Sequence, residues 1–333
     1  MSVEAVIICE KREKEKCIMI KCNRNKTLLA LFVCLLFASS CNGIGAEQDS
    51  DTSIVQDNKK AEKNNQGEEK QLQQTLEKEE SYINEDGTCI KDRINVPKGF
   101  TRVSYKKKSF GAFLRNYPLC DSGQPVLLYD GREKGNQNAH VAVFAMDVTD
   151  GDLQQCADSV IRMYAEYFYK YKQYDKMKFQ FVNGFSCDFD KWSQGMRVSV
   201  DGNDTNWYQG ASADNSKDAL ESYLRTVFGY ASTLSMEQES EAIKIEDIQV
   251  GDIFIRGGSP GHVVMVVDVC ENEKGEKAFL LAQGYMPAQQ FHILKNPKHE
   301  DNPWYYETEI SYPFHTPEYT FEEGSLMRPQ YNR

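Results

Sequence analysis

Several classes of chemistry are missing from this sequence at the outset. Its 333 residues hold five histidines, and its ten cysteines form no Cys-x-x-Cys pair and no Cys/His cluster at zinc-ligand spacing, so nothing supports a metal site. No cofactor motif is present either: Gly87 and Gly99 are too isolated for a phosphate-binding loop. Positive charge is in deficit. Lys and Arg number 39 against 50 Asp and Glu, a formal net charge of −11, and no basic stripe or RNA-binding motif stands out, which argues against nucleic acid as a partner. Long apolar runs are lacking too. Leu28–Phe37 is ten residues, short of the ~20 that a membrane-spanning helix needs.

That short run has a different meaning. Lys21, Arg24 and Lys26 precede it, and Ala38-Ser39-Ser40 and then Cys41 follow it. A basic stretch, an apolar stretch and small residues make a secretory signal. A Cys directly after small residues resembles the bacterial lipobox, which implies that Cys41 is lipidated and anchors the chain to a membrane; an ordinary signal with an incidental Cys is the alternative. Asn42, in place of the Asp that retains some lipoproteins at the inner membrane, points to the outer membrane of a Gram-negative cell envelope. Residues 1–18 are charged and unusual before a signal, so Met19 is a candidate true start. From 42 to 93 the chain is rich in Gln, Glu, Asn and Lys, with thirteen acidic and seven basic residues. Such a segment buries too little apolar surface to offset its ordering entropy and reads as a disordered stalk. Residues 94–333 are enough for one globular domain.

Within that domain Ser109–Asn116 reads as a short helix, and Pro125–Tyr129 and Val141–Met146 as strands. Cys156, Val160, Met163, Tyr164, Tyr167, Phe168 and Tyr171 recur at three and four residues, which predicts a helix from about Asp152 to Tyr171. Asp152 with Gln155, or Thr149 with Asp152, is its expected cap. Ser216–Leu234 is a second amphipathic helix. Strands over 252–256, 262–269 and 277–283 follow, the last two as an antiparallel pair. Helices first and antiparallel strands later is an α+β pattern.

Two segments carry candidate chemistry. Cys156 stands at a helix start, where unpaired N–H groups and the helix dipole favour a thiolate; a buried cysteine on an apolar stripe is the plain alternative. His262 follows Gly258-Ser259-Pro260-Gly261 and opens the apolar strand Val263–Val267, a position from which its ring would face a cleft. Gln283 ends the next strand at the same end of the sheet and would orient the imidazole without taking its proton, although a register shift of one residue would turn it to the other face. Asp268 is a poorer third member: it shares the expected His262 face, but six residues of strand put it ~20 Å away. His140 is the reserve base. Trp192, Arg197, Tyr285 and Gln155 are candidate substrate contacts, Arg197 for a carboxylate, with core Trp and surface ion-pair Arg as the alternative. Cys187 lacks helical patterning and is the weaker nucleophile. Beyond Cys41 the chain keeps Cys89, Cys120, Cys156, Cys187 and Cys270; five is odd, so at least one thiol stays free.

Gly251-Asp252-Ile253-Phe254-Ile255, the Gly261-His262 strand and Gln283 resemble the His-bearing half of papain-like cysteine peptidases, including NlpC-type and CHAP cell-wall amidases. From about Ile94 to Pro329 the chain also resembles an uncharacterised family of bacterial lipoproteins, a domain of unknown function. That likeness rests on Phe110–Arg115, Leu153–Asp158, Lys191-Trp192 with Gly195 and Arg197, Gly258–His262 and Ala282–Gln289. The papain-like resemblance implies a Cys-bearing helix packed on an antiparallel sheet. It also implies Cys156 as nucleophile, His262 as base and Gln283 as orienting residue, in a hydrolase or transferase acting on amides or esters of envelope peptides. A binding or assembly lipoprotein on a diverged hydrolase scaffold is the competing expectation. Three departures from the papain-like pattern favour divergence. Asp150 stands where an oxyanion-binding Gln is usual, leaving Gln154 or Gln155 as substitutes; Gln155 stands where the amidases have Asp; and the third member is Gln.

Overall fold

A computed structural model of the protein describes residues 81–332. The expected signal, Cys41 and the rest of the segment before residue 81 lie outside the described residues. In chain order the first elements are α1 (Ile90–Arg93), β1 (Phe100–Arg102), α2 (Phe110–Arg115), β2 (His140–Val143) and α3 (Cys156–Lys170). Then come β3 (Lys178–Gln180), β4 (Ser186–Asp188), α4 (Phe189–Ser193), β5 (Met196–Asp201), β6 (Asp204–Gln209), α5 (Lys217–Tyr230) and α6 (Thr233–Gln238). The last part holds β7 (Ser240–Ala242), β8 (Ile253–Arg256), β9 (His262–Asn272), β10 (Lys277–Gln283), β11 (His292–Leu294), β12 (Tyr305–Tyr306), β13 (Phe314–His315), β14 (Thr320–Phe321) and β15 (Leu326–Pro329).

The fold is α+β, with helices packed on a mainly antiparallel sheet. Nine strands join in that sheet in the order β2-β11-β10-β9-β8-β15-β7, with β1 added on β9 and β12 on β10. The strand β9 is its spine. Val263 to Val267 are all buried, because one face lies under helices and the other under the C-terminal segment. On the second face Phe254 packs on Phe314 at 4.6 Å and on Phe321 at 6.1 Å between ring centroids. On the first, α2 and α3 meet through Phe110 and Tyr164, stacked at 4.1 Å.

Helix α3 begins four residues later than the sequence spacing predicts. Asp152 does not cap it: its Oδ1 accepts from the N–H of Ala288 at 2.6 Å and from Gln155 Nε2 at 3.2 Å. Asp158 reaches back instead, accepting from the N–H of Gln155 at 3.0 Å, so Gln155 is the cap and Cys156 the first helical residue. The predicted helix over 216–234 is two. It ends at Tyr230, and Ser232 starts α6 by accepting from the N–H of Leu234 at 3.1 Å while Ser235 Oγ accepts from the N–H of Ser232 at 3.0 Å. The expected strand at 125–129 forms only isolated bridges, Leu127 with Glu133 and Leu128 with Gln289. Residues 81–93, expected in the stalk, are part of the packed domain. Ile90 and Ile94 are fully buried, and the buried Arg93 donates from Nε to the carbonyl of Gly87 at 2.7 Å. Two isoleucines, each worth ~1.5–3 kcal/mol when fully buried, outweigh the polar composition around them.

One irregularity places the site. The β9–β10 ladder pairs Leu280 with Asp268 but Leu281 with Val266, a bulge that leaves Val267 extra. Residues paired across antiparallel strands share a face. The bulge therefore puts Asp268 on the helix face and sets Val264 and His262 on the face of Gln283. The expectation that Asp268 shares the His262 face fails on that single inserted residue.

Candidate functional site

Beyond the bulge, four neighbouring strands each present one polar side chain on the same face. His262 on β9, Gln283 on β10, His292 on β11 and His140 on β2 stand in a row across the sheet, fixed by the pairings of Gln283 with His292 and of Leu294 with His140. His262 Nε2 meets Gln283 Oε1 at 2.8 Å. Gln283 Nε2 donates to Glu318 Oε2 at 2.7 Å and lies 3.4 Å from His292 Nε2. His292 Nδ1 donates to the carbonyl of Gln290 at 2.9 Å. The rings of His292 and His140 cross edge to face at 5.9 Å.

The row is covered by the hairpin of β13 and β14. Tyr319 and Phe321 lie against the His262 ring at 4.9 and 6.2 Å, and Tyr285 against it at 4.8 Å. The turn carrying Glu318 is closed by the N–H of Thr316 on the carbonyl of Tyr319 at 2.9 Å. Lys134 forms an ion pair with Glu318, and Asn136 Nδ2 donates to its Oε1 at 3.1 Å. Under this cover His262 is 2 % exposed and Gln283 and His292 are fully buried. Burial disfavours a charged ring, so the His262 pKa falls to about 4, resisted by its bond to Gln283 and by Glu318. That of His292 falls to about 3, again chiefly through burial. Both rings are neutral near pH 7.

Cys156 comes to the same strand end from the helix side. It is the first residue of α3, and the backbone N–H groups of Ala157, of Val263 next to His262, and of Cys156 itself each act to lower its thiol pKa. Gly284 lets the two elements meet: a Cβ there would lie 2.3 Å from Ser159 Oγ and 2.9 Å from the Gln155 carbonyl. Cys156 is partly exposed, yet burial of its sulfur, then the nearby Asp158 carboxyl, push the thiol up to about 11 against the lowering effect of the N–H groups. Among the described residues Cys156 and His262 share no hydrogen bond. At rest the thiol and the imidazole are both neutral. Cys270 is pushed up to about 12 and Cys187 is raised too, both by burial and both fully enclosed. What distinguishes Cys156 from them is its place and exposure. All five cysteines among the described residues are free thiols, none in a disulfide.

The other expected residues divide. Tyr285 lies at the site, its hydroxyl donating to the Glu318 carbonyl at 3.4 Å. Gln155 is beside Cys156, with its amide turned to Asp152. Gln154 is fully buried in a structural cluster with Thr149 and Arg162, so it offers no donor to a substrate oxyanion. Trp192 and Arg197 are engaged with each other, the guanidinium 4.2 Å over the indole. Arg197 Nη1 donates to the carbonyls of Trp192 and Met196 at 3.0 and 2.7 Å, and Trp192 packs on Tyr223 of α5. Neither touches Cys156 or His262. His140 Nε2 bonds to the Gln124 carbonyl at 3.3 Å and borders a separate cleft of ≈ 270 Å³ with Gln137 and Asp121.

Glu318, Lys134, His292 and Tyr319 are site residues the sequence reading does not single out. Glu318 lies 35 residues from Gln283, and Lys134 lies 184 from Glu318, on turns without periodic pattern; the Thr316-Pro317 turn is the one local signal. Among the described residues no group of three or more His, Cys, Asp or Glu side chains is placed to hold a metal ion.

The family model described as Domain of unknown function (4846) matches residues 90–328, and the chain belongs to that family. Compared with curated proteins and with solved structures, it matches none.

Proposed function

We propose that this member of the family of unknown function is a cysteine hydrolase or acyl transferase, with Cys156 as nucleophile, His262 as base and Gln283 as the residue that orients His262. The observation that carries the reading is the 2.8 Å bond between His262 Nε2 and Gln283 Oε1 at the strand end whose Val263 N–H acts on the Cys156 thiol. A helix-borne cysteine, a strand-borne histidine and an amide on the next strand are the parts of a papain-like site, which supports a papain-like reading of the α+β fold. Cys156 gives its proton to His262 and adds to the carbonyl of an amide or ester. The leaving amine or alcohol takes that proton, and a thioester remains, to be released by water or by a second nucleophile. The N–H groups of Ala157 and Val263 are the donors available to the developing oxyanion. Because no bond joins thiol to imidazole at rest, Cys156 must turn toward His262 when substrate binds, as is common for catalytic contacts before substrate arrives.

The substrate class, envelope peptides including peptidoglycan stem peptide, rests on the signal and Cys41 and on analogy with the cell-wall amidases. Tyr285 and Gln155 are the proposed contacts. Anchorage through Cys41, with placement at the outer membrane, belongs to the same reading. A second reading, a binding or assembly lipoprotein on a retired hydrolase scaffold, is favoured by one observation: the thiol is held up at about 11 with no bond to His262. Labelling the purified chain with iodoacetamide across pH separates them. An enzyme labels preferentially at Cys156, and His262→Ala abolishes the preference; labelling of Cys156 no faster than an ordinary thiol leaves the binding reading. Cys41→Ser should release the protein from membranes, and continued membrane association would remove the lipid anchor from the account.

A further inference from the structure

We propose that Glu318, clamped by Lys134, is a positioning residue that decides which ring nitrogen of His262 carries the proton. The proposal rests on the reading of Cys156 and His262 as nucleophile and base, and names the group that makes His262 competent.

The two ends of a glutamine amide have nearly the same shape, so their neighbours decide which end points where. Gln283 is fully buried and has three polar neighbours. Glu318 Oε2, at 2.7 Å, also takes the Lys134 ammonium. An ionised carboxylate only accepts hydrogen bonds, so it demands the amide NH2. His292 agrees: its Nδ1 is committed as donor to the Gln290 carbonyl, which leaves a lone pair on Nε2 facing the same NH2 at 3.4 Å. Gln283 Oε1 is then fixed toward His262, and Nε2 of His262 must carry the hydrogen. Nδ1 is left with a lone pair, the form that can take a thiol proton. Were the amide reversed, its NH2 would face Nε2, the proton would move to Nδ1, and His262 could not act as base at that atom. The long contact to His292 is a weak restraint, so the choice falls to Glu318. The hairpin turn that carries Glu318 also brings Tyr319 over the His262 ring, so one segment both seals the base and sets its tautomer.

The test uses the full chain labelled with 15N at its five histidines, with His262 assigned by its loss in His262→Gln. In the wild type, Nε2 of His262 should resonate as a protonated nitrogen and Nδ1 as an unprotonated one. Glu318→Ala should move His262 to a mixture or to the Nδ1–H form and slow Cys156 alkylation by up to about a hundredfold, the smaller end of what general-base catalysis contributes. Glu318→Gln keeps an acceptor at the Oε2 position and should retain the wild-type tautomer and rate. If His262 of Glu318→Ala remains Nε2–H, the proposal is overturned. Should that variant not fold, Glu318→Asp, which withdraws the carboxylate by one methylene, should shift the tautomer in the same direction by less, and an unchanged spectrum there overturns it equally. Wild-type Cys156 that labels like an ordinary thiol removes the enzyme reading instead; the tautomer measurement still decides the role of Glu318.

Discussion

Asp268 and His262 stand six residues apart on β9, on opposite faces because of the bulge between them, and both are buried. Asp268 has both oxygens committed, to four donors. Oδ2 takes Arg102 Nε at 2.7 Å, and Oδ1 takes Arg115 Nε at 2.9 Å, Arg115 Nη2 at 2.6 Å and the N–H of Val269 at 2.9 Å. His262 has one nitrogen committed, to Gln283, and among the described residues the other makes no hydrogen bond. A buried carboxylate held by four donors ties β1 and α2 to the sheet. A buried imidazole with a vacant nitrogen costs desolvation free energy and keeps a valence for chemistry. Saturation therefore separates the structural group from the candidate functional one, where residue type and burial do not.

The strongest way to break this comparison is Asp268→Ala. It leaves Arg102 and Arg115 unpaired, and breaking a buried pair costs several kcal/mol. Because these arginines are 18 % and 13 % exposed and can rehydrate, a loss of about 3 kcal/mol is expected, the lower end for such pairs. Urea denaturation reads it, and a loss below about 1 kcal/mol, the range of surface pairs, would mean that Asp268 is no anchor. Gly284→Ala strikes the contact between α3 and the site. The added Cβ meets Ser159 and the Gln155 backbone, so ~1–3 kcal/mol of overpacking is expected, together with slower alkylation of Cys156. Unchanged stability and labelling would show that this contact does not position the thiol.

A smaller effect sharpens the charge side of the comparison. The native-state pKa values of His262 and His292, about 4 and about 3, lie below the ordinary ~6.5. The unfolded chain therefore binds more protons than the native one below that value, and stability contributed by these rings is lost as pH falls from ~6.5 toward 3. Asp158, raised to about 8 by burial, acts in the opposite sense, since its native carboxyl keeps a proton that the unfolded chain releases from ~4 upward. A difference measurement isolates the ring: the gap in urea midpoint between wild type and His292→Gln should narrow from pH 6.5 to 4, and a constant gap would show that His292 is not neutral when folded. The smallest effect is expected from Arg197→Ala. Losing a cation–π contact should cost ~0.5–1 kcal/mol and leave Cys156 labelling unchanged; a clear fall in labelling would return Arg197 to the site.

Much of the frame is legible in the sequence because it is periodic. The stripe from Val160 to Phe168 and the apolar run Val263–Val267 after His262 encode α3 and β9; glycines mark the strand end at His262, whereas the caps expected for the helix put its start four residues before Cys156. The domain start is less legible, since Ile90 and Ile94 are anchors hidden in a polar stretch. The face of Gln283 is not legible at all. One unpaired residue, Val267, reverses the alternation, and nothing in an all-apolar run marks where the extra residue falls. Arg197 and Trp192 look like pocket residues by type and turn out to stack on each other.

By itself, the sequence determined which helix carries the cysteine, which strand begins with the histidine, and that both occupy one α+β domain, because hydrophobic period and local caps act over a few residues. Only the tertiary structure decided that Gln283 faces His262, that Asp268 does not, and that Glu318 and Lys134 stand behind the pair. Those depend on a bulge and on contacts between distant turns, where free energy comes from satisfying buried polar groups and no local pattern records the partner.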